Sequence, residues 1–234
     1  MISRALWPPV ERGVADSFQF VALAYEGVSD KPSEVHPDQF ENQLRTLKQS
    51  GYHPITLREV SDLYQKGLPL PRKSVLLTFD HSRKSSYYAV HSMLRRAGWN
   101  AVMFLWTRPI AQRDNASVLW PYARSMERSG LWEFGVQSHQ GFTRVPAGRK
   151  EGEGNFMTTR RWLSDEQRHE TYAEFTKRVR DDHATSLALI EDKIGVRPIA
   201  YAYPFGDFGQ YKADTTAIRA INLALVDRNY DLGF

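Results

Sequence analysis

The chain has 234 residues, of which 41% are hydrophobic and 25% are charged, so it can bury one large core and requires no second domain. Its 31 Lys and Arg against 27 Asp and Glu give a formal net charge of +4 without a long basic run, and no nucleic-acid partner is expected. The lack of cysteine excludes disulfide bonds and thiolate ligands, so any metal must be bound by histidine, carboxylate or water. No stretch approaches 18 apolar residues, which argues against a transmembrane helix, and residues 1–10 lack the apolar core of a secretory signal.

The first half of the chain alternates predicted strands and helices, the order that is typical of parallel β/α units. Residues 1–17 are expected to be an irregular N-terminal segment, and the α/β domain is expected to cover residues 18–234. The predicted elements are a buried strand 18–25, helix 37–50, strand 53–57, helix 57–66, strand 74–79, helix 86–96, strand 101–106, helix 117–129 and strand 132–136.

The second half begins with a long stretch without a regular pattern, residues 140–163, which is interpreted as either a lid or a flexible insertion. Its aromatic side chains can either stack on a sugar chain or pin the loop to the domain, and both readings stay open. A capping box of Ser164 and Gln167 predicts a helix over 164–193, with His169 and His183 at its surface or ends. Strand 197–203, helix 214–222 and strand 223–227 are predicted after it.

Two polar residues stand where buried strands end. Asp80 follows the apolar run of residues 74–79, and His139 follows strand 132–136 after Gln137 and Ser138. Parallel α/β sheets keep their chemistry at the C-terminal ends of the strands, so these residues are expected at one edge of the sheet. The alternative for Asp80 is that it caps the helix that begins near Ser85.

Three stretches in this order resemble motifs of the polysaccharide deacetylases, the NodB-homology family of carbohydrate esterases. They are Thr-Phe-Asp-His at 78–81, Gly-Val-Gln-Ser-His at 135–139 and Tyr-Pro-Phe-Gly at 203–206. They are similar to the family's Thr-Phe-Asp-Asp, Gly-Ser-His and Tyr-Pro-Tyr-Gly. The resemblance extends over roughly residues 18–234 and implies a distorted (β/α) barrel with the site at the C-terminal ends of its strands.

The resemblance implies roles for several residues. Asp80 matches the general base, and the main-chain N–H of Phe205 matches a donor to the oxyanion. The family binds a divalent metal through one Asp and two His; zinc is the metal expected here, and the matching positions hold His81, His139 and Thr143. Two imidazoles alone make a weak zinc site. Glu26, at the end of the first strand, either completes it or is a solvated turn acid. Residues expected to contact substrate are Glu26, Ser138, Thr143, Tyr203, Pro204 and Asp227, the last being similar to the acid of the family's fourth motif.

The family's last motif, a Leu-His pair whose histidine protonates the leaving amine, has no counterpart, because no histidine follows His183. Either the polypeptide continues beyond residue 234 or this member lacks the general acid. We therefore keep two hypotheses. The first is metal-dependent hydrolysis of N-acetyl groups on a polysaccharide such as poly-N-acetylglucosamine, outside the cytoplasm as is common in the family. The second is a deacetylase-fold module that binds glycan or a protein partner without turnover. Hydrolysis of another C–N or ester bond is a third and weaker reading.

Overall fold

In the computed structural model, residues 17–211 and 216–234 are described. The predicted irregular segment 1–17 therefore lies outside the described residues except for Ser17. By internal contacts the chain separates into two compact units. The first takes in the described residues up to Leu105 together with Pro109–Phe134, and the second takes in Trp106–Arg108 and Gly135–Phe234. The expectation of one domain over 18–234 stays a prediction.

Strands and helices alternate through most of the chain. The strands are β1 (Phe20–Tyr25), β2 (His53–Pro54), β3 (Ser74–Phe79), β4 (Ala101–Leu105), β5 (Trp132–Val136), β6 (Arg144–Pro146), β7 (Glu153–Asn155), β8 (Trp162–Leu163), β9 (Arg168–His169), β10 (Ala200–Tyr201) and β11 (Leu232–Gly233). The helices are α1 (Pro37–Gln49), α2 (Leu57–Lys66), α3 (Lys84–Ala97), α4 (Thr107–Ala111), α5 (Trp120–Arg128), α6 (Tyr172–Ile194) and α7 (Thr216–Asn229), and Pro204–Gly206 form a 3₁₀ turn.

The sheet of the first unit is built around β3. This strand pairs in parallel with β1, β2 and β4, and all six of its residues are buried. An unbroken apolar run is the expected pattern for a parallel strand that is covered on both faces. The expectation that strand 18–25 is buried is wrong, because β1 lies at the end of the strand order and only Tyr25 in it is buried.

An aromatic cluster fills the core of the first unit. The ring of Tyr25 stacks on Phe79 with centroids 5.2 Å apart, and Phe40 of α1 meets Tyr25 edge-on at 5.1 Å. Trp132 of β5 contacts Phe79 at 5.4 Å. Burial of each such side chain contributes about 1.5–3 kcal/mol, so these contacts fix α1 and β5 on the strand that leads to Asp80.

The predicted helices of the first unit are confirmed with shifted ends. Pro37 occupies the first turn of α1, where its missing N–H costs nothing, and His36 and Gln39 form a capping box. Gly67 and Gly98 end α2 and α3 in the left-handed conformation that glycine adopts without strain. Helix α4 was not predicted.

The second unit departs more from the prediction. Val136 at the end of β5 pairs with Tyr201 of β10, and β10 pairs with β11, both in parallel. Residues 140–163 are not wholly irregular, since β6 and β7 form an antiparallel hairpin. A second hairpin, β8 and β9, occupies residues 162–169, where a helix was predicted.

The predicted start of the long helix at Ser164 is wrong. Helix α6 begins at Tyr172, and its capping box is formed by Thr171 and Glu174. Both places have the Ser/Thr-x-x-Glu/Gln pattern, so the pattern alone could not choose. Gln167 has a φ of 52° in the turn of the hairpin, which a helix does not allow.

The predicted strand 223–227 is also wrong, because these residues belong to α7. Ile218, Asn222, Leu225 and Val226 are buried at helical spacing. Asp227 is therefore an exposed helical residue and does not stand at a strand end. Within the described part of the chain, no helix is both long enough and apolar enough to cross a membrane.

Candidate active site

The first unit carries the turn that follows β3. Asp80 is half-buried, and its main-chain N–H donates to the carbonyl of Tyr25 at 3.0 Å, which extends the pairing of β1 with β3. His81 and Ser82 follow with φ of 62° and 53°, a left-handed conformation that is uncommon outside glycine. The alternative role of Asp80 as a helix cap is wrong, since the N-cap of α3 is Arg83.

Three charged or titratable groups surround this turn. Burial, followed by the charge of Arg83, lowers the pKa of His81, while the Glu26 carboxylate opposes them. The guanidinium of Arg83 donates from Nε to the carbonyl of Glu26 at 2.9 Å. Glu26 follows β1 and is exposed. Its carboxylate acts electrostatically on the His81 imidazole. The lowered pKa favours the neutral imidazole, which is the form that can accept a proton or bind a metal.

The second unit carries His139, which is held from several sides. Its Nδ1 lies 3.0 Å from the Thr107 hydroxyl, and its carbonyl accepts a hydrogen bond from the indole N–H of Trp106 at 3.0 Å. No hydrogen-bond partner for Nε2 is found among the residues that the structure describes. Burial lowers the pKa of His139, and Asp182 and Arg108 act on it in opposite directions. The ring is therefore oriented, with Nε2 as its available nitrogen.

Asp182 of α6 lies beneath the turn that presents His139. Its Oδ1 accepts hydrogen bonds from Ser138 Oγ at 2.6 Å and from the N–H of His139 at 3.0 Å, and its Oδ2 accepts from the N–H of Gln140 at 2.6 Å. The residue is 4% exposed. Burial raises the pKa of its carboxyl, and these three donors oppose that effect.

Sequence reasoning missed Asp182 and Thr107, although each left a signal. Asp182 falls on the inward stripe of α6 with Val179 and Ser186, and an acid at a core position needs a partner. Thr107 comes directly after the buried strand β4 and Trp106, as Asp80 comes after β3.

The third motif forms a turn in the second unit. Tyr203 is half-buried against Tyr201 and Phe208, and burial raises the pKa of its hydroxyl to about 12. Phe205 has a φ of 60° and an exposed ring, which meets Phe142 edge-on at 5.0 Å. Within the described residues, its main-chain N–H has no hydrogen-bond partner.

The predicted substrate contacts fall into different environments. Ser138 is fully buried, and its hydroxyl donates to Asp182 and accepts from the N–H of Gly141, so the structure argues against its direct contact with substrate. The Thr143 hydroxyl donates to the carbonyl of Gln140 at 2.7 Å. Pro204 is buried, whereas Tyr203 and Asp227 line a cavity of about 660 Å³ in the second unit.

The aromatic side chains of residues 140–163 also lie in different environments. Phe156 is buried beneath the guanidinium of Arg178, 4.5 Å from its ring centroid, so it pins the loop to the domain. Phe142 packs between Trp106 and Phe205 with centroids about 5 Å away on each side. Trp162 meets His169 in the hairpin of β8 and β9.

The predicted metal ligands do not fit a three-ligand protein site. In residues 17–211 and 216–234, no group of three or more His, Cys, Asp or Glu side chains is placed to hold a metal ion. The Thr143 hydroxyl donates to the carbonyl of Gln140, and a neutral hydroxyl is a poor substitute for imidazole as a zinc ligand. We therefore derive no reaction step through a metal.

The described chain thus has a parallel β/α fold with a carboxylate and imidazoles after its strands. The polysaccharide deacetylase profile matches residues 67–224, about two thirds of the chain, and the chain belongs to that family. This match includes Asp80, His139 and Phe205, and it confirms the resemblance that the motifs gave.

Curated relatives carry a more specific description. The poly-beta-1,6-N-acetyl-D-glucosamine N-deacetylase of Escherichia coli K12 is 25% identical over 206 residues, covering 80% of this chain and 31% of the relative. The enzyme of the same description from Staphylococcus aureus MSSA476 is 28% identical over 112 residues, covering 47% and 38%. The chain thus spans about a third of the length of these relatives.

Solved structures confirm the predicted deacetylase-type (β/α) barrel. The de-N-acetylase from Aggregatibacter actinomycetemcomitans matches with a TM-score of 0.78 at 20% identity, covering 90% of this chain and 85% of the other. The BpsB deacetylase domain from Bordetella bronchiseptica matches with a TM-score of 0.71 at 24% identity, covering 89% and 88%. At these identities the similarity establishes the fold.

Proposed function

We propose that this protein hydrolyses N-acetyl groups of a poly-N-acetylglucosamine polymer. The observation that carries the proposal is the family match over residues 67–224, because it spans all three stretches from which the site was predicted. The relatives from Escherichia coli and Staphylococcus aureus, described as poly-beta-1,6-N-acetyl-D-glucosamine N-deacetylases, supply the substrate class. Action outside the cytoplasm is part of the same proposal, since such a polymer is an exopolysaccharide.

In the proposed reaction, water attacks the acetamide carbon and Asp80 accepts its proton. The developing oxyanion needs preorganised donors, and the N–H of Phe205 supplies one. Its left-handed backbone and the lack of a partner for this N–H within the described residues support that role. Asp80 then returns the proton to the amide nitrogen, the C–N bond of the tetrahedral intermediate breaks, and acetic acid, which ionises to acetate, leaves the free amine on the sugar.

The polymer is proposed to contact the exposed or half-buried members of the predicted set. These are Glu26, Thr143, Tyr203 and Asp227. The buried Pro204 is proposed to shape the turn that presents Phe205.

The proposed cofactor is a divalent metal, zinc, bound by His81 and His139. Nε2 of His139 is available, and burial keeps both imidazoles in the neutral form that binds metal. The described residues offer no group of three ligands, so zinc binding is tested separately by elemental analysis of the purified protein.

Acetate release tests the proposed function. Wild-type protein is incubated with a β-1,6-linked N-acetylglucosamine oligomer, with and without added zinc, and compared with Asp80→Asn. Loss of a general base is expected to lower kcat by about 100-fold or more. Asp165→Asn, which changes an exposed acid in the same way, is expected to keep wild-type activity. An Asp80→Asn variant as active as wild type contradicts the proposed mechanism.

The alternative function is glycan binding without turnover. The observation that favours it is the lack of a three-ligand group in the described part of the chain, with Thr143 at a family ligand position. A binding module shows saturable oligosaccharide binding that survives Asp80→Asn, and it forms no acetate under any metal condition. Calorimetric titration of both proteins with the same oligomer, combined with the acetate assay, distinguishes the two functions.

A further inference from the structure

The backbone of the turn that presents His139 is strained and requires stabilising contacts. Ser138 has a φ of 95°, although it is not glycine, and it is completely buried. Residues persist in such conformations only when their surroundings fix them, and they cluster at functional sites. The turn therefore needs an interaction partner that compensates for its conformation.

Asp182 provides that interaction. One carboxylate receives three hydrogen bonds from three consecutive residues, the Ser138 hydroxyl and the N–H groups of His139 and Gln140, at 2.6–3.0 Å. Hydrogen bonds to an ionised acceptor are stronger and shorter than neutral ones. The Ser138 hydroxyl in turn accepts from the N–H of Gly141 at 2.6 Å, so the carboxylate organises the entire turn.

Gly141, at the end of the turn, has no space for a side chain. A Cβ added to Gly141 would lie 2.4 Å from Pro204 Cγ and 2.5 Å from Ser138 Oγ. Gly141, two residues after the second motif, thus packs closely against Pro204 of the third motif and Ser138 of the second. A shift of the turn would displace both His139 and the loop that carries Phe205.

We propose that Asp182 is a positioning residue of the deacetylase site, which holds the Ser138-His139-Gln140 turn so that the His139 imidazole is presented in one orientation. The proposal rests on the proposed function for its catalytic meaning. Asp182 acts through His139 and does not touch the substrate. The Thr107 hydroxyl at Nδ1 fixes the ring once the turn is in place.

The test compares Asp182→Asn with Asp181→Asn. In the first variant the introduced amide keeps the shape of the carboxylate but lacks its charge and one of its two acceptor oxygens. Asp181 is the exposed neighbour on the same helix and pairs with Lys177, so its variant controls for a change of charge on α6. Circular dichroism verifies that each variant is folded.

Two readouts are measured on each protein. The first is kcat and KM for acetate release from the oligomer. The second is the ring ¹⁵N and ¹H NMR spectrum of His139, assigned with a His139→Gln variant. For Asp182→Asn we expect kcat to fall about 10- to 100-fold with KM nearly unchanged, and the His139 ring signals to shift or split. Asp181→Asn is expected to match wild type in both.

The outcomes separate the two proposals. Unchanged His139 signals in Asp182→Asn overturn the positioning role, whatever the activity. Shifted signals with wild-type kcat also overturn it, because the orientation would then not matter. If wild type itself releases no acetate, the proposed function fails, while shifted signals still establish that Asp182 orients His139. Should Asp182→Asn not fold, Ser138→Ala removes one of the three hydrogen bonds, and the same shift, smaller in size, is required.

Discussion

Acidification is expected to destabilise the protein through His183, a residue of α6 that was expected at the surface or at a helix end. It is instead 1% exposed, its Nδ1 lies 3.1 Å from the Tyr230 hydroxyl, and its ring packs 4.5 Å from that of Tyr201. Burial lowers the pKa of this imidazole from its ordinary 6.5 to about 4. The fold thus favours neutral His183.

The sign and size of the effect follow from linkage. Between pH 6.5 and about 4 the unfolded chain binds a proton at this histidine that the folded protein does not bind. The stabilisation is complete above pH 6.5 and is lost as the pH falls toward 4. A pKa difference of about 2.5 corresponds to roughly 3 kcal/mol of unfolding free energy.

Urea unfolding followed by tryptophan fluorescence at pH values from about 4 to 8 measures this effect. His183→Gln removes the titrating group, so its unfolding free energy should fall by roughly 3 kcal/mol less than that of wild type between about pH 7 and pH 4. Equal slopes for wild type and His183→Gln would refute the reasoning.

Three further predictions concern stability and metal. Glu170→Gln should lower the unfolding free energy by about 3 kcal/mol, measured by urea unfolding, because it removes the buried carboxylate that pairs with the half-buried guanidinium of Arg178. A loss under about 1 kcal/mol contradicts this. Gly141→Ala should lower Tm by several degrees in a thermal melt, since overpacking costs about 1–3 kcal/mol; an unchanged Tm means the turn has room. Elemental analysis after zinc is supplied should find near one metal per chain, lost in the His81→Ala/His139→Ala double variant; no metal in wild type excludes the proposed zinc site.

Local patterns predicted the first unit well. The apolar run of β3, Pro37 at the start of α1, and Gly67 and Gly98 at helix ends each reflect a local rule that the tertiary structure obeys. The failures lie where the same local pattern fits two structures. Ser164 and Thr171 both begin a Ser/Thr-x-x-Glu/Gln pattern, and only the β8–β9 hairpin decides between them.

The site was predictable to the extent that motifs mark it. Asp80, His139 and Phe205 could be proposed as site residues because each stands in a short stretch after a strand. Asp182 could not be assigned a partner from sequence, since its hydrogen bonds join residues 42 to 44 positions apart. Its position on the buried stripe of α6 indicated that it needed donors, but only the fold shows which ones.

Thr143, at a position where the resemblance predicted a metal ligand, makes contacts of a different kind. Its hydroxyl closes the turn after Gln140, while the carboxylate of Asp182 holds Gln140 from the other side. Thr143 therefore stabilises the same turn that presents His139 and is not positioned by its contacts as a stand-in for imidazole. Because one backbone segment carries both positions, substituting the second histidine can leave the orientation of His139 intact. If the double-histidine variant loses metal that wild type holds, His139 binds metal while position 143 is threonine; if wild type holds none, the proposed zinc site is wrong.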